Sequence, residues 1–265
     1  MKSQTVVHDG VKQAEYPARV LLWLAGLALA TLALTASPAR AQRGGSGFLF
    51  GVPDATLTLR TGYDIAFANS DLFSFATTNL TLNRSDFSSP TIAGDLGFRL
   101  SPRVMGTVSL GYSRSAAQSE FRNWLDNNNL PIQQSTELTR VPLTFNLKAY
   151  LRPPGRAIGH YAWVPAAFAP YVGAGVGTMW YKFRQGGDFV DTVSTNVYSD
   201  VYSTSAWTPM ANVFIGGDWN ISPGMALTAE ARYSWAQGPV SGDYSGFHRI
   251  DLSGVALTAG LTFRY

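Results

Sequence analysis

Val255-Ala256-Leu257-Thr258-Ala259-Gly260-Leu261-Thr262-Phe263-Arg264-Tyr265 alternates without a break. Val255, Leu257, Ala259, Leu261, Phe263 and Tyr265 fall on one face, and Ala256, Thr258, Gly260, Thr262 and Arg264 on the other. A period of two belongs to a β-strand, and about ten residues is what a tilted strand needs to cross a bilayer. Upstream, after Ser222-Pro223-Gly224, the pattern recurs: Leu227, Ala229, Ala231, Tyr233 and Trp235 oppose Thr228, Glu230, Arg232 and Ser234.

Six further segments alternate in the same way. Leu57, Leu59, Tyr63, Ile65 and Phe67 oppose Thr58, Arg60, Gly62 and Asp64; Ile92, Leu96, Phe98 and Leu100 oppose Asp95, Gly97 and Arg99. Beyond the turn Ser101-Pro102-Arg103, Val104, Val108, Leu110 and Tyr112 oppose Thr107, Ser109 and Gly111. Val141, Leu143, Phe145, Leu147 and Ala149 oppose Arg140, Thr144, Asn146 and Lys148. Val172, Ala174 and Val176 oppose Gly173, Gly175 and Gly177, and Ala211, Val213, Ile215 and Trp219 oppose Asn212, Gly216 and Asp218. No segment past residue 41 shows sustained helical spacing. Long polar connections (69–88, 115–137, 184–206, 237–249) alternate with short turns, apart from a long stretch at 152–169 expected on the short-turn side. That asymmetry is typical of barrels with long outer loops and short periplasmic turns.

A soluble β-sandwich or lipocalin-like barrel also has one apolar face. Here, however, the polar face is mostly Gly, Thr, Ser and Asn, and large aromatics gather at strand ends. The 265 residues are only 14% charged against about a quarter in soluble domains, and include 7 Trp, 12 Tyr, 15 Phe and no Cys. Without Cys, disulfides and thiolate chemistry are excluded. The formal charge of +3 gives no case for nucleic acid, because 1–41 holds Lys2, Lys12, Arg19 and Arg40 against Asp9 and Glu15. The uncharged run 20–36 followed by Ala39-Arg40-Ala41 reads as a signal peptide cleaved before Gln42. The expected organisation is therefore a signal peptide (1–41), a short lead (42–54) and a barrel (55–265). The fold expected is all-β: an eight-stranded antiparallel up-and-down transmembrane β-barrel with long outer loops, in the outer membrane of a Gram-negative bacterium.

Ala169-Pro170-Tyr171-Val172-Gly173-Ala174-Gly175-Val176-Gly177, Leu227-Thr228-Ala229-Glu230-Ala231-Arg232-Tyr233 and the closing Leu261-Thr262-Phe263-Arg264-Tyr265 resemble the small outer-membrane β-barrel family, which includes the OmpA transmembrane domain and OmpX. The resemblance spans nearly all of 48–265. It implies a monomeric barrel without the peptidoglycan-binding domain that follows in full OmpA. It also implies that Phe263 and Tyr265 serve as the signal for the barrel-assembly machinery, Tyr265 standing where the family usually ends in Phe.

An eight-stranded barrel is just wide enough for side chains to fill. The inward positions Arg60, Asp64, Asp95, Arg99, Arg140, Lys148, Asp218, Glu230, Arg232 and Arg264 are expected to form a polar lumen network, with a narrow or gated pore as the alternative. The inward glycines relieve crowding or leave space for that pore. Arg114, Arg122, Lys182, Arg184 and Arg249 are expected near the outer rim, where lipopolysaccharide phosphates and membrane lipid are partners. Apolar loop residues (Leu72, Phe73, Phe75, Leu80, Phe87, Phe121, Trp124, Leu125, Phe189, Val190, Tyr198, Tyr202) suit either binding of a surface ligand or mutual packing in a rigid hairpin collar. Catalysis would need His160 or His248, the latter near Asp243, Ser245 and Asp251 in a possible Ser–His–Asp grouping. Polar loop residues are the simpler reading, and no enzyme is expected. Asp188, Asp191 and Asp200 lack Ca²⁺-loop spacing, so no metal or cofactor is expected. A structural and surface-interaction role is the reading, with passage of small hydrophobic solutes, through the lumen or a lateral opening, as the alternative.

Overall fold

The computed structural model describes residues 47–126, 129–159, 161–190 and 197–265; the expected signal peptide, His160 and Asp191 lie outside the described residues. Eight long strands follow one another: β1 (Ala55–Ala66), β2 (Ser89–Arg99), β3 (Val104–Leu125), β4 (Pro131–Tyr150), β5 (Phe168–Val190), β6 (Val197–Ser222), β7 (Met225–Gly238) and β8 (Gly254–Arg264). Each pairs antiparallel with its chain neighbour, and β8 returns to β1 from Gly254↔Ala66 to Arg264↔Thr56. The ladder is thus a closed ring of eight, a barrel of the outer-membrane type.

The exterior explains why it must close. Leu59, Ile92, Phe145, Val176, Val213 and Ile215 point outward and are each more than half exposed, an arrangement that water would not tolerate and hydrocarbon does. Two aromatic levels bound this surface. At the outer level Trp180 and Trp207 are register partners; at the inner level Phe168 and Trp219 are partners too, their rings stacked with centroids 4.6 Å apart. The twelve-residue step from Phe168 to Trp180 is ~40 Å along a strand, or ~30 Å along the membrane normal at the usual tilt. None of the outward positions between these levels is charged.

Above the membrane the barrel is lopsided. β1, β2, β7 and β8 have 12, 11, 14 and 11 residues, enough to cross and little more. β3 to β6 have 22, 20, 23 and 26 and continue outward as two tall hairpins. Most of 115–137 and 184–206, expected as loops, is therefore strand. The other two outer connections fold inward. Residues 69–88 contain helix α1 (Asp71–Asn79), contrary to the expectation of no helical segment, and a 3-10 turn at Arg84–Phe87. Leu72, Phe73, Ala76, Leu80, Leu82 and Phe87 pack with Tyr244, Ile250 and Leu252 of the last connection against Leu138, Tyr181 and Phe183, on the inner face of the tall wall. Leu72, Phe73, Leu80 and Phe87 are consequently a buried cap across the mouth and not a ligand-binding surface; Phe75 and Trp124 stay exposed. The reason is geometric: the wall presents apolar inward side chains above the membrane, and these two connections cover them.

At the inner end, residues 152–169 form a further structure that was expected to be a plain loop. Gly155–Ile158 and Ala162–Pro165 pair with each other, and the latter also with Leu49–Phe50 of the lead. This three-stranded sheet lies on the side of the short turns. Its Trp163 is buried, with the guanidinium of inward-facing Arg264 5.5 Å from the ring centroid.

A lipid-facing charge tests this placement. Val213→Arg, near mid-membrane on β6, is expected to destabilise the protein by about 2–4 kcal/mol, read as a lower urea midpoint for folding into vesicles. Gln118→Arg, on the exposed hairpin, should leave that midpoint within about 0.5 kcal/mol of the parent.

Candidate functional site

The inward face converges on a buried charge cluster. Arg60 on β1 reaches Asp95 on β2 through Nη2 and Nε, each at 2.8 Å, and Glu230 on β7 through Nη1. Arg232 donates to Glu230 from Nε at 2.9 Å and to Asn212 on β6 at 3.2 Å, with its guanidinium 4.4 Å from the centre of the Phe214 ring. Lys148 on β4 meets Asp218 on β6 at 3.0 Å and lies 3.6 Å from the centre of the Tyr171 ring. Asp218 also accepts from Tyr150 (2.7 Å) and Thr228 (2.8 Å), and Tyr171 on β5 donates to Glu230 at 3.1 Å. Asn146 donates to Ser109 on β3 at 2.9 Å, and Thr262 on β8 pairs with Thr228 and Thr58. All eight strands contribute.

Two features make this cluster possible. Arg60, Arg232 and Lys148 balance Asp95, Glu230 and Asp218, so the buried charge sums to zero, which is what a low-dielectric interior requires. The two large rings that brace it lie over glycines: a methyl on Gly173 would overlap Phe214, and one on Gly216 would overlap Tyr171. These two glycines make room for side chains and do not leave open space. Nearer the outer end, Arg140 pairs with Asp64 at 3.0 Å. Between that pair and the Met179, Met210 and Leu252 side chains under the cap is a cavity of only about 70 Å³.

Parity therefore gathers Arg60, Asp95, Lys148, Asp218, Glu230 and Arg232 into one network and Arg140 with Asp64 into a pair. It fails for the other two. Arg99, the last residue of β2, hangs at the inner rim and binds Asp54 of the lead at 2.6 Å. Arg264, the last of β8, donates to Asn220 Oδ1 and has no ion-pair partner among the described residues. Neither makes an ion pair with a central acid, because alternation gives the face and not the depth. Asp54, Tyr150 and Tyr171 are contributors missed in the sequence, and Asn146 and Asn212, placed there on the polar face, were not assigned to the network; Tyr150 and Tyr171 share the inward parity, so that signal was present.

On the outer wall, Arg114, Thr139 and Lys182 form one cross-strand row, and Glu137 and Arg184 are partners in the next row outward. Arg114 bonds Glu137 at 3.0 Å. Lys182 is two residues beyond Trp180, so this basic ridge begins just above the outer aromatic level. Arg122 departs from the expectation of a rim contact: it donates to the Leu82 carbonyl and ties the hairpin to the cap. Arg249 is exposed in the last connection, and Phe263 and Tyr265 face outward at the inner edge.

His248 does not assemble a triad. Its ring is almost fully exposed, and Nδ1 and the backbone N–H both bond Asp71 of α1, at 2.8 and 2.9 Å. That N–H, followed by the ring, holds the Asp71 carboxyl below the usual carboxylate range. The tether is therefore in place at neutral pH and is lost as pH falls through the lowered value. Asp243 accepts from the Ser203 N–H, and Asp251 from the Asn69 and Ser253 N–H groups. These acids staple the cap together. Asp188 accepts from Ser199 and Asp200 from the Val201 N–H. Among the described residues no group of three or more metal-ligating side chains occurs.

No family model and no curated protein matches the chain. Among solved structures it is similar to Neisserial surface protein A (13% identity, 83% of this chain and 98% of that one, TM-score 0.43). It is also similar to Ail of Yersinia pestis (11%, 80% and 100%, 0.40) and to the N-terminal β-barrel domain of Pseudomonas aeruginosa OprF (13%, 80% and 98%, 0.35).

The charge balance has a measurable consequence. Arg60→Met strands buried carboxylates and is expected to cost about 3 kcal/mol, whereas Arg60→Met/Asp95→Asn restores neutrality and should recover at least half of that. Urea midpoints of the three proteins in one lipid check the ordering; a double variant no better than the single contradicts it.

Proposed function

We propose that this protein is a closed, non-enzymatic outer-membrane barrel that reinforces the envelope and holds a rigid β-collar at the cell surface. The observation that carries the reading is the filled lumen: a neutral hydrogen-bonded network drawn from eight strands, with the apolar cap above it and the Trp163 sheet at the inner end. Side chains that satisfy one another gain nothing by admitting a hydrated solute. The collar exposes Trp124, Leu125 and Leu130 near one hairpin tip, a place where a partner could bind without disturbing the membrane part.

Lipopolysaccharide is a second partner in this proposal, supported by the ridge of Arg114, Lys182 and Arg184 around Glu137. Guanidinium groups suit phosphate, and their height just above the Trp180 level matches a lipid headgroup.

Planar bilayers test closure: the folded protein should give no steady conductance, and a reproducible open level would contradict the proposal. For the second partner, Arg114→Ala/Lys182→Ala/Arg184→Ala should keep the barrel folded while several-fold less lipopolysaccharide co-purifies. Unchanged retention would remove that partner.

A further inference from the structure

Arg264 stands apart from every other inward charge. It is 92% buried by residue area, since only 8% remains accessible. Nη1 donates to Asn220 Oδ1, and the buried Nη2 has no hydrogen-bond partner among the described residues. The remaining inward cations have carboxylate partners: Arg60 has Asp95, Arg232 has Glu230, Lys148 has Asp218 and Arg140 has Asp64. The charge of Asp218 acts on Arg264 from a distance, but that carboxylate is already paired with Lys148. A buried guanidinium with no anion in contact is unfavourable until one joins it.

Arg264 lines a cavity of about 200 Å³ at the inner mouth. Its walls combine apolar, basic and hydroxyl side chains, the last being Thr56, Ser101 and Tyr150. Pro53, Met105, Pro154, Ala157 and Trp163 are apolar, while Arg99 and Arg103 bring further positive charge at the exposed edge. Arg99 is matched by Asp54, and among the described residues no carboxylate side chain lines the cavity. The three-stranded sheet forms one wall, and Trp163 presents its ring to the Arg264 guanidinium.

We propose that this cavity binds a small oxyanion, phosphate or carboxylate, carried on an apolar body. The oxyanion is held by the guanidinium groups of Arg264 and Arg103, which line the cavity, and the apolar body lies against Trp163 and Met105. Charge selects the ligand, because the lining carries Arg264 and Arg103, and charge-assisted hydrogen bonds to an anion are stronger than those to a neutral acceptor. The mixed lining disfavours a bare inorganic ion, which would leave the apolar walls uncovered. The ligand enters from the inner side, past Pro102 and Arg103.

The test is calorimetric titration of the full barrel, reconstituted in nanodiscs of neutral phosphatidylcholine, with phenyl phosphate, inorganic phosphate and phenol. Phenyl phosphate should bind at least tenfold more tightly than either of the others. Arg264→Gln should weaken it at least tenfold while the protein still shifts on heating in a gel. Should that variant fail to fold, Arg103→Glu at the exposed edge provides the same reading and should weaken binding several-fold. Equal binding of phenol and phenyl phosphate, or titrations unchanged in the variants, would overturn the proposal. Discs containing phosphatidylglycerol distinguish the source: competition with phenyl phosphate assigns the site to a lipid headgroup, and unchanged binding assigns it to a soluble anion. Either outcome presupposes the Arg264-dependent binding on which the proposal stands.

Discussion

A backbone N–H or C=O left unpaired in hydrocarbon has no water to turn to, and each such group costs several kcal/mol. The pairing of β8 with β1 removes the last two open edges of this sheet, and the rest of the molecule follows from it. With eight strands the ring is narrow, so its interior is filled by side chains. Inward residues of a lipid-facing strand are polar by alternation, and polar groups confined in a narrow lumen are best placed to satisfy one another. The balanced set of Arg60, Arg232 and Lys148 with Asp95, Glu230 and Asp218 is the solution here. Its partners come from every strand, so it also resists slippage: a shift of one residue would turn the inward set toward lipid.

The same reasoning extends above the membrane. Once β3 to β6 continue past the aromatic level, their inner face no longer borders the closed lumen. Leu138, Tyr181 and Phe183 then need a cover, and the connections after β1 and β7 supply it through α1 and the Tyr244 region. Apolar residues in outer loops are in this way divided between two tasks. Phe73 and Phe87 complete a core, whereas Trp124 and Phe75 remain at the surface. The cap, its Asp71–His248 tether and the tall hairpins form a single packed unit at the outer end.

Much of this was legible in the sequence because a period of two is a strong signal wherever one face meets lipid. All eight crossings and most lumen residues follow from parity alone. The signal fades where both faces become polar, as at Gln118 and Gln133, so strands were taken to end at the membrane surface. Helix α1 was hidden for another reason: Leu72, Phe73 and Ala76 are helically spaced, but nine residues with Ser74, Thr77 and Thr78 among them resemble a polar loop. Depth was not readable either. Arg99 and Arg264 share the parity of Arg60 yet lie at the inner rim, where Asp54 and Asn220 are their partners. The inner sheet joins Leu49 to Trp163, a pairing across more than a hundred residues that no local pattern announces.

Ring closure can be measured directly because the chain has no cysteine of its own. Thr61 on β1 and Ala259 on β8 are register partners on the lipid face. Directly opposed residues of antiparallel strands have Cα atoms about 4.5–5.5 Å apart, within the span of a disulfide. Thr61→Cys/Ala259→Cys, oxidised in membranes and then boiled in detergent, should give a cross-linked band whose mobility differs from the reduced chain. Thr61→Cys/Val213→Cys, with its second position on β6, should not cross-link. Absence of the Thr61–Ala259 bond, or equal cross-linking of the two pairs, would show that the first and last strands do not meet and would contradict the closed barrel.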